Sequence, residues 1–113
     1  MICNYIITQT PKGIVLTCEA LDKKGQVVRT TPPGPFEVGA RSLDSMRLAL
    51  AIADHYYGAS PSDPGATAEA NRQAPRILDA FLLPVRLLPG ATFEVSGDVL
   101  DRFFSLPGLS QSS

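Results

Sequence analysis

Residues 2–20 read ICNYIITQTPKGIVLTCEA, and their alternation decides the fold. Successive side chains of an extended chain point to opposite faces. Cys3, Tyr5 and Ile7 therefore share one face of a first strand, and Ile14, Leu16, Cys18 and Ala20 share one face of a second. Pro11-Lys12-Gly13 stands between them as a turn signal. The pattern predicts a hairpin with one apolar face. Asp22-Lys23-Lys24-Gly25 repeats the turn chemistry, with glycine where a left-handed residue is wanted. Gln26 to Thr30 then continues as a third strand. The expectation is a three-stranded antiparallel meander whose face bearing Tyr5, Ile7, Leu16 and Cys18 is hidden under helices.

Downstream of the meander, Pro32-Pro33-Gly34-Pro35 ends the sheet, because proline cannot donate to a ladder. Phe36 to Gly39 reads as a short extended piece. A helix follows, capped by Ser42 or Asp44. Leu43, Met46, Leu50 and Tyr57 form its stripe, with Ala49, Ile52 and Ala53 beside it, and Gly58 stops it. Residues 58–66 are a polar loop. A second helix begins near Thr67 or Ala68. Pro75 either kinks it or opens a new helix at the first position, where a missing N–H costs nothing. Ile77, Leu78, Phe81 and Leu82 then face the core, and Pro84 closes the stretch. Pro89-Gly90 is a turn, Ala91 to Val95 a short strand, and Ser96 the cap of a last helix from Gly97 to about Phe104, with Asp98 near its positive end.

Strands first and helices later predict an α+β fold. It comprises an N-terminal antiparallel three-stranded meander, two or three helices on one face, and a short late strand. Residues 1–105 form one domain, and residues 106–113 are expected to be a flexible tail.

The totals bound the function. The chain has 113 residues, 44% of them hydrophobic, enough to build a core without staples. Ten lysines and arginines against eleven acidic residues give a formal charge of −1. The cations are scattered, whereas affinity for a phosphate backbone needs several that converge. Nucleic acid is thus not the expected partner. The longest apolar run, Leu48 to Ala53, is far short of the ~18 residues of a membrane helix. The first residues lack the basic and apolar regions of a signal peptide. A cytoplasmic location is expected, with Cys3 and Cys18 as reduced thiols.

No motif for chemistry emerges. His55 is the sole histidine, late in its helix beside Asp54. Acid–base or metal work needs partners that the spacing does not supply. Cys3 and Cys18 are fifteen residues apart and fall on the predicted core face, where a thiol behaves as a small hydrophobe. Glu69 with Arg72, Arg76 with Asp79, and Asp98 with Arg102 have the spacing of helical ion pairs. No phosphate-cradling loop and no nucleophile elbow is present. The expectation is a non-enzyme with no cofactor and no bound metal. The competing readings are a small enzyme using Cys18, or His55 with Asp54, and a nucleic-acid-associated regulator.

Residues 36–53 read FEVGARSLDSMRLALAIA. They resemble a small uncharacterised family of bacterial and phage-borne proteins whose hallmark runs F-E-W-G-Y-G-G-S-G-P-x-x-L-A-L-A-I-L. Phe36, Glu37 and Gly39 match, as do Leu48, Ala49, Leu50, Ala51 and Ile52. Val38 stands in place of the tryptophan, and Ala40, Arg41, Leu43 and Asp44 replace most of the glycine-rich turn. The resemblance implies a compact α+β domain of mobile-element origin and transfers no active site.

Two segments remain as interaction surfaces. The turn into Phe36–Arg41 presents Phe36, Glu37 and Arg41, with Arg47 beyond, to a protein partner. Leu82-Leu83-Pro84-Val85-Arg86-Leu87-Leu88 is richer in apolar side chains than a link requires, and Leu83, Val85 and Leu87 would serve self-association. The reading reached is a small module that binds a host protein. Its sharpest form is a phage inhibitor of a bacterial defence system, anti-CRISPR-like and acting by occlusion. A homodimer is allowed.

Overall fold

The structure, a computed structural model, describes residues 3–105. The expected tail at 106–113 lies outside the described residues. The elements run β1 (Cys3–Thr10), β2 (Gly13–Leu21), β3 (Val27–Thr30), α1 (Leu43–Tyr57), α2 (Pro64–Ile77), a π-turn (Leu78–Leu82), β4 (Thr92–Ser96) and α3 (Gly97–Ser105). The fold is α+β, as the order of the sequence pattern requires.

The sheet order is β3-β2-β1-β4, antiparallel throughout. Cys3, Tyr5 and Ile7 of β1 meet Ala20, Cys18 and Leu16 of β2. On the other side, Tyr5 and Ile7 meet Val95 and Phe93 of β4. This face is buried against the helices, whose core residues include Leu48, Ile52, Ile77, Leu82 and Leu100. The opposite face, with Ile6, Thr8, Val15 and Thr17, is half exposed. One covered and one solvated face is the usual condition of an antiparallel sheet, and it explains the period-2 alternation.

Local chemistry sets the element ends. At Asp22–Gln26 the Asp22 carboxylate accepts from the N–H groups of Lys24 and Gln26. The Gly25 N–H bonds the Asp22 carbonyl, with Gly25 at φ +79°. Ser42, not Asp44, caps α1: its hydroxyl accepts from the Ser45 N–H at 3.1 Å. Gly58 closes α1 at φ +68°. Ser96 caps α3 by accepting from the Val99 N–H.

The structure corrects the start of the second helix and decides between the two readings of Pro75. Phe36 to Gly39 joins no sheet. Its one ladder-like contact is a bond from the Gly39 N–H to the Leu82 carbonyl, 2.9 Å, which ties it to the helical side of the molecule. Helix α2 starts at Pro64, not near Thr67, because Asp63 caps it and proline at the first position fits the helix. Pro75 begins no helix. It lies in the last turn of α2, after which the chain widens into the π-turn, with the Leu83 N–H reaching back to the Leu78 carbonyl at 2.8 Å.

Helix α2 packs closely on α1. Its buried face is Ala70, Ala74 and Ile77, while α1 buries Ala49 and Ala53 beside Leu48 and Ile52. Small side chains let the two backbones approach. Among the described residues no helix is long and apolar enough to cross a membrane.

Candidate interaction site

Of the groups proposed for chemistry, the two thiols are inside the molecule, and His55 and Asp54 are half-buried. Cys18 is fully buried and Cys3 nearly so. Burial pushes the Cys18 thiol up to about 11, against an opposing hydrogen bond with Thr30. A thiol so placed stays protonated and is a poor nucleophile. The register sets Cys18 opposite Tyr5 and Cys3 opposite Ala20, so the two thiols are not cross-strand partners, and both are free.

His55 makes a half-buried contact with the core. Its Nδ1 lies 2.9 Å from the hydroxyl of Tyr5, and the two rings meet edge to face at 5.3 Å. The Cys3 thiol donates to the same hydroxyl at 3.4 Å. Burial, and then the bond from Cys3, holds the Tyr5 phenol above its ordinary range. Burial lowers the His55 pKa and raises that of Asp54. The phenol stays protonated and the imidazole is favoured in its neutral form, with the donor in their hydrogen bond set by the imidazole tautomer. Among the described residues no group of three His, Cys, Asp or Glu side chains is placed to hold a metal ion.

The two surface segments singled out in the sequence come together. Besides the bond from Gly39 to Leu82, Gly39 lies against the Val85 carbonyl so closely that a Cβ would stand 2.8 Å from that oxygen. Two residues on, Arg41 pairs with Asp79 at 2.6 Å. The helical spacing had paired Asp79 with Arg76. Arg76 instead bonds Gln73 and lies over the rings of Phe103 and Phe104, at 4.9 and 5.5 Å. The spacing of Glu69 and Arg72 does give an ion pair, at 3.2 Å.

Within this junction the predicted residues divide. Phe36 is buried in the core. Glu37 accepts from the Ser42 hydroxyl at 3.1 Å and so braces the cap of α1. Leu83, Val85 and Leu87 are half-buried, with Leu87 packed on the core. Arg41 and Arg47 are exposed, the latter paired with Asp44 at 2.8 Å. Sequence reasoning missed two exposed leucines in these segments. Leu43, the first residue of α1, is 74% exposed, and Leu88, three residues beyond Val85, is 76% exposed. Leu43 had been placed on the core stripe of α1 by its spacing. Its position in the first turn carries it past the covered face.

Sequence reasoning also missed the aromatic group that fastens α3. Tyr56, Tyr57 and Phe104 pack with centroids 4.9 to 5.7 Å apart. Phe81 meets Phe103 at 5.1 Å. The Tyr56 hydroxyl donates to Asp101. The adjacent pairs Tyr56-Tyr57 and Phe103-Phe104 were the available signal.

No protein-family model, curated protein or solved structure matches the chain.

Proposed function

We propose that this chain is a non-enzymatic protein-binding module that engages its partner through the junction of residues 36–47 with residues 79–88. The observation that carries the reading is the exposure of Leu43 in the first of these segments and of Leu88 at the end of the second, with Arg41 and Arg47 near Leu43 in the chain. Large apolar side chains left in water next to arginines have the composition of an interface: apolar anchors supply affinity and arginine adds directed hydrogen bonds. A backbone bond from Gly39 to Leu82 and the Arg41–Asp79 pair join the two segments.

The resemblance at residues 36–53 narrows the proposal to a protein of mobile-element origin, and small size with a formal charge of −1 suits one that occludes a component of a bacterial defence system. The test is a tagged pull-down from bacterial lysate with the natural chain and with Leu43→Glu/Leu88→Glu. The expected result is one host protein recovered in stoichiometric amount by the first and lost by the second, whose fold is unchanged by circular dichroism. A bait that recovers nothing, or a double variant that binds as well, overturns the site. Phage plating on cells expressing the chain tests the narrower reading, which fails if infection is unaffected.

A further inference from the structure

We propose that two copies of this chain join β3 to β3 across a two-fold axis, continuing one sheet through both. The surface is separate from the junction just described and involves none of its residues. β3 is an edge strand that pairs with β2 alone. Its residues are all exposed, Val27 and Val28 by 52% and 45%.

The turn decides which backbone groups are free. The Asp22 N–H bonds the Gln26 carbonyl at 2.9 Å, so this is a hydrogen-bonded pair. Bonded and non-bonded pairs alternate along an antiparallel ladder. With Ala20 opposite Val28 and Cys18 opposite Thr30, those pairs are bonded across to β2. Val27 and Arg29 therefore turn their N–H and C=O groups to the open edge.

A second antiparallel strand must offer outward groups to outward groups, and a two-fold axis leaves three short registers. Placing Arg29 opposite the partner's Arg29 sets like charges face to face, which destabilises a pair. Placing Val27 opposite the partner's Val27 runs the Lys24-Gly25 turn against the strand. Placing Val28 opposite the partner's Val28 avoids both. Val27 then bonds the partner's Arg29 and Arg29 bonds the partner's Val27. The valines on the axis form a close apolar pair, and the stem of each arginine covers a valine. Arg29 keeps its own Glu19 at 2.6 Å, so its charge is already met.

The other edge is unsuited. Gly90 and Ala91 bulge against Gln9 where the chain enters β4, whose outward residues are Thr92 and Glu94. Of the apolar side chains of β4, Val95 is 2% exposed and Phe93 is partly buried against the core. A contact of so few residues falls below the ~1,000 Å² of a lasting interface, so the dimer forms as concentration rises.

The test is sedimentation velocity on the full chain from low micromolar to near-millimolar concentration. The mass is expected to double. Val27→Pro removes one outward N–H and no bond to β2, so this variant should keep the fold and stay monomeric. Val28→Cys should form an intermolecular disulfide on mild oxidation, because facing residues of a non-bonded antiparallel pair are close enough to bridge. Thr31→Cys, outside that pair, should not. A natural chain that stays monomeric throughout, a mass that grows past two copies, or a Val28→Cys variant that bridges no better than Thr31→Cys overturns the proposal. None of these results bears on the junction site, whose pull-down stands apart.

Discussion

Gly39 lies against the carbonyl oxygen of Val85, at a distance where a Cβ would be only 2.8 Å from that oxygen. Its φ is +81°, a conformation that side chains disfavour. Backbone angle and backbone contact thus demand glycine at one position. The same residue donates to Leu82, so it is the point at which the chain leaving the sheet is fixed to the segment after the π-turn.

Gly39→Ala should cost about 2 kcal/mol or more, the sum of a left-handed penalty and a displaced backbone. Urea unfolding measures it. A loss under ~0.5 kcal/mol, within the range of an ordinary surface change, would contradict the contact.

Ser42→Ala should cost about 1 kcal/mol. The hydroxyl accepts from the Ser45 N–H, and its proton is within reach of Glu37 at 3.1 Å and the Ser45 hydroxyl at 3.2 Å. Ser45 is fully buried, so losing this neighbour is felt inside. Asp44→Ala should have a smaller effect, because Asp44 is not the cap. Equal losses in the two variants would reverse the assignment.

Stability should fall as the solution is acidified below the ordinary histidine pKa of ~6.5. Burial lowers the folded-state pKa of His55, so over that window the unfolded chain binds more protons, and stability rises with pH. The contribution is whole above ~6.5 and is lost as pH drops toward the folded value. Protonation makes Nδ1 a donor only, so an imidazolium can no longer accept from the Tyr5 hydroxyl. Asp54, raised by burial, acts with the opposite sign in the carboxylate range. Unfolding midpoints across pH for the natural chain and His55→Gln should show a flatter slope in the variant. Parallel slopes would remove His55 as the source. Tyr5→Phe should cost about 1 to 2 kcal/mol by leaving the buried contact unmade.

Cys18 should resist alkylation in the folded protein. Its thiol is buried and held near 11, so both access and thiolate are lacking. Labelling followed by mass spectrometry should proceed at the rate of unfolding and speed up in urea. Rapid labelling of the native chain would revive a nucleophilic role.

The legible parts of the molecule are those written in short-range chemistry. Cys3, Tyr5, Ile7, Leu16 and Cys18 announce a covered face because the strand period is two. Ser42, Gly58 and Ser96 announce helix ends because each satisfies backbone groups within its own turn. Leu43 misled because helical spacing does not tell which end of a stripe runs past the covered surface. Asp79 misled because Arg41, distant in sequence, competes for it with Arg76.

By itself the sequence determined the α+β class, the β1–β2–β3 meander, the face that is buried and most helix ends, since each follows from residues a few positions apart. Only the tertiary structure decided that β4 lies beside β1, that Tyr5 meets His55 fifty positions away, and that the 36–41 and 79–88 segments form one junction. Those contacts depend on which surfaces remain to be covered once the local elements exist. That is a property of the packed whole, and no window of the chain contains it.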